Sequence, residues 1–135
     1  MVLQLVASCL KIKSGECIGV KGKVMAEAKS FAFNLGQDAS NLIIHFNPRF
    51  KYHRDTRTIV CNSKLDGKWG EEMWESEFPF QQGEEAKIEI SFDAKEVTVK
   101  CLEDLNLKFP NRLGLEGVNY LSVEGDFEVH SLKFK

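Results

Sequence analysis

The sequence predicts an all-β protein, a two-sheet antiparallel jelly-roll sandwich, from three observations. Short segments that alternate apolar and polar residues, rich in β-branched and aromatic types, recur at spacings of about ten residues. Turn-forming residues separate these segments, and no long amphipathic helix is found between them. Strands that follow one another without helices bury their apolar faces by packing one sheet on another, which favours a sandwich.

About eleven strands are predicted by this alternation. They span residues 5–12, 17–24, 30–35, 42–50, 58–63, 71–80, 86–92, 96–101, 105–109, 120–124 and 127–134, with turns at 14–16, 36–38, 65–68, 81–84, 92–95 and 124–126. Residues 113–119 are compatible with a single helical turn. Pro48 cannot donate to a strand ladder, so we expect a bulge or a local break beside it.

Length and charge limit the class of protein. The chain of 135 residues is expected to form one domain, 1–135. Its 18 basic and 20 acidic residues leave a net charge of −2, which does not favour nucleic acid or an anionic membrane as a partner. The apolar start, residues 1–10, lacks a basic leader and is followed by Lys11 and Lys13, so we expect a strand without membrane insertion.

The four cysteines are expected to be thiols. Their spacing fits neither a zinc knuckle nor a redox pair of the CxxC type, and no secretory signal is recognised. The cysteines are Cys9, Cys17, Cys61 and Cys101. We therefore predict neither a metal site nor a cofactor.

Residues 45–50 contain the clearest candidate site. In a strand, His45, Asn47 and Arg49 point to one face, while Phe46 and Phe50 point to the other, into a core. Three hydrogen-bonding side chains on a flat β surface, without an obvious nucleophile, indicate a platform that recognises a polar ligand.

Further candidates follow on the next segments. Val60 and Asn62 share one strand face, and Glu72 lies three residues after Trp69, with Gly70 permitting a change of direction between them. Amide, imidazole, guanidinium and carboxylate groups complement sugar hydroxyls, and an indole covers the apolar face of a sugar ring. A charged pair of Arg49 with Glu72 is expected to order both side chains before a ligand arrives.

The sequence does not predict an enzyme. A glycosidase needs two carboxylates across the scissile bond, about 5–10 Å apart. Glu71 and Glu72, like Glu84 and Glu85, are adjacent and would point to opposite strand faces. No serine triad, metal-binding spacing or phosphate-binding glycine loop is present.

Three segments resemble the galectin family, in particular its single-domain prototype members. They are His-Phe-Asn-Pro-Arg-Phe at 45–50, Val-Cys-Asn-Ser at 60–63 and Trp-Gly-Glu-Glu at 69–72, in the family's order and spacing. Framework segments at 20–24, 33–36, 78–80, 109–113 and 124–127 extend the resemblance over nearly the full length.

The resemblance implies a site for β-galactosides such as lactose and N-acetyllactosamine. His45, Asn47 and Arg49 would bind the axial 4-hydroxyl of galactose, and Asn62 with Glu72 would bind the 6-hydroxyl. Arg49 and Glu72 would also reach the 3-hydroxyl of the second sugar.

Four more residues belong to the implied site. Trp69 would stack on the apolar face of galactose, Val60 would line the floor, and His53 would touch the second sugar. Trp74 stands where family members usually carry an arginine, so we expect weaker or altered preference at the second sugar. An alternative remains open, in which the chain is a structural or protein-interaction protein of the galectin fold with weakened sugar binding.

The resemblance also implies partners and an assembly. The partners would be glycoproteins and glycolipids that carry β-galactosides, cross-linked by a homodimer built from strands 5–12 and 127–134. Family members are made in the cytosol and act outside the cell after export without a signal peptide, so both locations are expected. Cys17 and Cys61 match thiols of relatives, so oxidation is expected to inactivate the protein.

Overall fold

The structure is a computed structural model that describes residues 1–101 and 105–135. The described residues form fourteen strands and no helix. The strands are β1 (Leu3–Ala7), β2 (Ile12–Lys13), β3 (Cys17–Val24), β4 (Phe31–Asp38), β5 (Asn41–Tyr52), β6 (Asp55–Leu65), β7 (Lys68–Trp69), β8 (Met73–Glu75), β9 (Glu85–Phe92), β10 (Glu96–Cys101), β11 (Leu105–Pro110), β12 (Gly117–Val118), β13 (Tyr120–Gly125) and β14 (Phe127–Phe134).

Two large antiparallel sheets make up the molecule. The seven-stranded sheet has the order β1-β13-β4-β5-β6-β7, with β8 also paired to β6. The five-stranded sheet has the order β11-β10-β9-β3-β14, and β2 pairs with β12 in a small ribbon. The predicted all-β jelly-roll sandwich is confirmed.

Phenylalanines fill the space between the two sheets. Phe31, Phe33, Phe46, Phe80 and Phe127 are fully buried. The rings of Phe33, from the larger sheet, and Phe127, from the smaller one, meet edge to face with centroids 5.1 Å apart. Since side chains alternate along a strand, Phe46 in the core directs its neighbours on β5 outward.

The predicted strand boundaries are correct where a strand is backed by this core on one face. β3, β10 and β14 coincide with the predicted segments, and β4, β5, β6, β9, β11 and β13 differ from theirs by a few residues at the ends. The turn predicted at 36–38 is wrong, because β4 continues to Asp38 and the chain turns at residues 39–40.

Two predicted strands are wrong. Segment 5–12 is divided: β1 ends at Ala7, and Cys9 and Lys11 adopt left-handed φ angles of 59° and 53°, which turn the chain out of the sheet. Segment 71–80 contains only the short β8, and the residues after Glu75 leave the sheet. The single helical turn at 113–119 is also absent, since β12 occupies Gly117–Val118 and the residues before it form a non-helical loop.

The break expected beside Pro48 occurs on one side of β5. Towards β6 the pairing continues through Pro48. Towards β4 the ladder ends at Phe33 opposite Phe46 and resumes only as a bridge between Ser30 and Arg49. Pro48 supplies no N–H to this edge, and the carbonyl of Phe31 accepts a hydrogen bond from Asn47 Nδ2 instead, at 2.7 Å.

All four cysteines are free. Burial raises the pKa of Cys61 and of Cys101 to about 12, and burial together with the neighbouring Glu89 raises the pKa of Cys17. Cys61 and Cys101 are therefore protonated and poorly reactive in the folded chain, which does not favour the oxidation expected at Cys61. Within the described ranges, no helix is long and apolar enough to cross a membrane, and no cluster of three metal-ligating side chains occurs.

Candidate functional site

The pairing of β5 with β6 brings five of the predicted residues together. His45 lies opposite Asn62, and Asn47 lies opposite Val60. Directly opposite residues of an antiparallel pair share one face, and Arg49 follows Asn47 by two residues on the same strand. We call the outward surface that carries these side chains the site face.

Two short strands extend the site face at its outer edge. Trp69 lies opposite Lys64, and Trp74 lies opposite Val60, both on β6. The register differs by one residue between β7 and β8, which leaves residues 70–72 outside the ladder. The predicted change of direction at Gly70 is thus confirmed, and both tryptophans face the same side as Val60 and Asn62.

Arg49 is the most heavily engaged side chain of the site. Its Nε donates to Asn47 Oδ1 at 2.8 Å, and its Nη1 forms an ion pair with Asp55. Its Nη2 lies 3.9 Å from Glu72 Oε2, and its guanidinium lies 5.0 Å from the ring centroid of Tyr52. The expected pair with Glu72 is present, but it is longer than the contact with Asp55. The guanidinium plane is consequently fixed from several sides.

Asp55 was not identified from the sequence. It lies opposite Tyr52 across the tight hairpin that joins β5 to β6. One sequence feature could have identified it: Asp55 is an acidic residue directly after the turn, on a strand that pairs with the strand of Arg49. His53 occupies the tip of this hairpin with a left-handed φ of 55°, and its exposed ring packs against Tyr52 with centroids 4.1 Å apart. The hairpin places His53 beyond the Arg49 end of the site face.

A chain of side chains determines the tautomer of His45. His45 Nδ1 lies 2.5 Å from Asn34 Oδ1, and Asn34 Nδ2 donates to Ser122 Oγ at 3.0 Å and to Glu124 Oε1 at 3.4 Å. Because a carboxylate only accepts, the amide of Asn34 directs its NH₂ group to Glu124 and its oxygen to His45. Nδ1 of His45 therefore carries the proton, and Nε2 is left as an acceptor. Asn34 lies on the neighbouring strand β4, in a framework segment of the family resemblance, and no sequence pattern assigned it to the site.

The electrostatics keep His45 neutral. Burial lowers the pKa of His45 to about 4, and the nearby charges of Arg49 and Lys64 act in the same direction. The His45 ring lies 4.7 Å from the Trp69 ring, whose other close neighbour is Lys64 Nζ at 4.8 Å from its centroid. Trp69 keeps 51% of its surface exposed, so the indole remains accessible to a ligand.

Asn62 is held by the loop that follows β7 and by a distant arginine. Its Nδ2 donates to the carbonyl of Gly70 at 3.0 Å, and its Oδ1 accepts from the backbone N–H of Ser63 at 2.7 Å. Arg112 Nη1 lies 3.4 Å from Asn62 Oδ1 and donates to Ser63 Oγ at 3.1 Å. A Cβ atom on Gly70 would lie 2.9 Å from both Arg112 Nη1 and Ser63 Oγ, so only glycine fits here without displacement. Arg112 is a second supporting residue that the sequence did not reveal.

Glu72 and Trp74 complete the outer edge. The Glu72 side chain is 42% exposed, and Trp74 is 61% exposed. Large aromatic side chains in this fold are otherwise mostly buried, as the phenylalanine core shows. Two exposed indoles beside ordered polar groups are typical of a surface that binds a ligand with both polar and apolar faces.

Comparison with known proteins gives one consistent result. The family model described as galactoside-binding lectin matches residues 5–134. The chain is 55% identical over 130 residues to the 16 kDa beta-galactoside-binding lectin of Gallus gallus, covering 96% of each chain. Among solved structures it is similar to CG-16, a homodimeric agglutinin from chicken liver, with a TM-score of 0.95, 54% identity and coverage of 97% and 98%. It is also similar to toad ovary galectin in complex with thio-digalactose, with a TM-score of 0.93, 37% identity and coverage of 97% of each chain.

Proposed function

Because the chain belongs to the galactoside-binding lectin family, we propose that it binds β-galactosides reversibly on the site face and breaks no bond. One observation carries the proposal: the pairing of β5 with β6 gathers His45, Asn47, Arg49 and Asn62 beside the exposed indole of Trp69. Each of these groups matches one feature of a galactose ring. The ligands are lactose, N-acetyllactosamine and the glycoproteins and glycolipids that end in them.

Discrimination for galactose comes from the 4-hydroxyl. An axial hydroxyl that points down to β5 donates its proton to His45 Nε2, which the Asn34 contact leaves as an acceptor. The hydroxyl oxygen accepts from the guanidinium of Arg49, which Asn47 and Asp55 hold in place. An equatorial 4-hydroxyl, as in glucose, points away from β5 and leaves these groups unsatisfied.

The remaining ring atoms are matched at the outer edge. Asn62 and Glu72 offer an amide and a carboxylate to the 6-hydroxyl, and the Asn62 amide is already oriented by Gly70 and Arg112. Trp69 covers the apolar C–H face of the ring. The site is formed before the ligand arrives, so binding requires little reorganisation.

We further propose a homodimer that cross-links glycoconjugates. β1 and β14 are edge strands of the two sheets, lie beside each other, and expose a group of apolar side chains. The exposed residues are Leu3 and Val6 on β1, Phe134 at the end of β14, and Met1 and Val2 just before β1. An apolar edge of this kind is suited to pairing with a second copy. Two sites per dimer would add avidity to a modest single-site affinity.

Both cytosolic and extracellular locations are part of the proposal, since the glycans in question lie on the outer cell surface. Free lactose added to intact cells that express the protein should release it into the medium, while sucrose should not. Release by neither sugar, with the protein present only inside the cells, would contradict the extracellular location.

Retention on lactose-agarose tests the proposed function. The wild type should be retained and should elute with free lactose. Arg49→Lys keeps the charge but loses the planar donor pair, and should elute without retention because a charge-assisted contact contributes about 1.5–3 kcal/mol. Arg54→Lys, at the exposed tip of the same hairpin, is the matched control and should behave as the wild type.

The same column decides the alternative function. The exposed Trp74 favours, as the second candidate, a protein-interaction role with weakened sugar binding. Folded wild type that flows through lactose-agarose would support that candidate and contradict the proposed lectin function.

A further inference from the structure

We propose that Trp74 forms a second subsite that selects β-galactosides whose anomeric substituent is aryl or otherwise presents an apolar face. The inference rests on the proposed function, because it concerns the neighbour of the bound galactose. An arginine, which the family resemblance implies at this position, would offer charged donors to a second sugar. Trp74 would instead select an apolar substituent.

The position of Trp74 separates it from the galactose ring. Trp69 and Trp74 lie opposite Lys64 and Val60, which are four residues apart on β6. Strand geometry makes that separation roughly 13 Å, which is longer than one pyranose ring. A galactose stacked on Trp69 therefore leaves Trp74 free for the group attached to it.

The orientation of galactose directs that group towards Trp74. Carbon 1 lies across the pyranose ring from carbon 4. When the axial 4-hydroxyl points down to His45 and Arg49 on β5, the equatorial substituent at carbon 1 projects roughly at right angles to that bond. It therefore leaves the far end of the ring and runs across the site face, over the outer strand. The exposed side chain of that strand on the site face is Trp74, directly opposite Val60.

The chemistry at this edge is mainly apolar. Trp74 is 61% exposed and offers a large ring surface, one N–H donor and no charge. In the part of the chain that the structure describes, Arg49 is the only cation within 4.0 Å of the Glu72 carboxylate, and Asp55 also binds that guanidinium. This outer edge of the site face therefore offers few charged donors to the hydroxyls of a second sugar. Most of the surface it offers to a ligand is the Trp74 indole, which stacks on flat or C–H-rich groups.

Two indole N–H signals allow a direct test, because the chain has two tryptophans. In ¹⁵N-labelled protein, methyl β-galactoside should shift the Trp69 signal and leave the Trp74 signal in place. Phenyl β-galactoside should shift both and should bind about fivefold more tightly, the size expected for one aromatic contact. Trp74→Ala removes one of the two signals and so assigns both. Because the aromatic contact is lost, this variant should bind phenyl and methyl β-galactoside with about equal affinity.

A matched control lies on the same strand. Met73 is also exposed, but it faces the opposite side of the sheet, opposite Cys61, so Met73→Ala should keep the preference for the phenyl ligand. With phenyl β-galactoside, a Trp74 signal that stays unchanged while the Trp69 signal shifts would overturn the inference alone. An unchanged affinity ratio of the two ligands in Trp74→Ala would do the same. A folded wild type in which neither ligand shifts Trp69 would overturn the proposed function as well.

Discussion

Arg49 connects most of the polar groups of the site. Its guanidinium contacts Asn47 and Asp55 and approaches Glu72, and its central carbon lies over the ring of Tyr52. Only 14% of its side chain is exposed, so little freedom remains for it to lose on binding. At the scale of single residues, such pre-ordered groups would lower the entropic cost of the proposed binding.

His45 gives the stability of the fold a dependence on pH. Its folded pKa of about 4 lies below the ordinary value of 6.5, so between these values the unfolded chain binds a proton that the folded chain does not. The stabilisation is complete above about pH 6.5 and is lost as the pH falls towards 4. Urea unfolding should show that the wild type loses on the order of 2 kcal/mol more than His45→Gln between about pH 7 and pH 4.5. Parallel losses in the two proteins would contradict this account of His45.

Gly70 supports the site because its lack of a side chain leaves room for Arg112 and Ser63. In Gly70→Ala the new Cβ displaces Arg112 and Ser63, which hold Asn62. We expect lactose affinity to fall about tenfold, the effect of one lost hydrogen bond, with a small change in Tm because the Arg112 side chain can move. Calorimetric titration and thermal melting measure the two effects separately. Gly19→Ala, where the nearest atom is 3.7 Å away, is the control, and equal affinities of both variants would refute the role of Gly70.

At the scale of elements, strands with one apolar face could be predicted, the edge strand β14 among them, whereas the short outer strands β7 and β8 could not. Alternation identified β3, β10 and β14 because one face of each strand is apolar. Alternation failed at β7 and β8. The exposed tryptophans there give an apolar pattern like that of a buried strand, but a one-residue register shift interrupts the pairing with β6. Most of the site residues followed from the alternation on β5 together with the family motifs.

The alternation pattern did not identify the residues that support the site. Asn34, Asp55 and Arg112 reach the site from other strands and loops. Their contacts depend on sheet order and hairpin register, which a single segment does not encode. These three residues nevertheless orient His45, Arg49 and Asn62.

The edge strand β1 provides a test of the proposed dimer. Leu3→Lys places a charge among the exposed apolar residues of β1, while its partner within the chain is Glu124, which should keep β1 attached to β13. Sedimentation should give half the wild-type mass, with lactose affinity per chain unchanged and agglutination of cells lost. Leu65→Lys changes an exposed leucine at the opposite edge of the same sheet and should remain dimeric. A dimer that persists in Leu3→Lys would contradict the proposed interface.

At the scale of the whole molecule, the sandwich supports a rigid surface. The phenylalanine core backs β4 and β5 on their inner side, and no buried side-chain nitrogen or oxygen atom of the described residues lacks a hydrogen-bond partner. The site face and the apolar edge of β1 and β14 lie at opposite ends of the seven-stranded sheet. A dimer formed through that edge would therefore carry its two sites far apart, as cross-linking requires.

The central claim is that the site face recognises the axial 4-hydroxyl of galactose. Lactose and cellobiose differ only in the configuration at that carbon, so calorimetric titration of the wild type with both sugars tests the claim directly. We predict saturable binding of lactose with one site per chain and no measurable binding of cellobiose. Equal affinity for the two sugars, or no heat of binding for lactose with a folded protein, would contradict it.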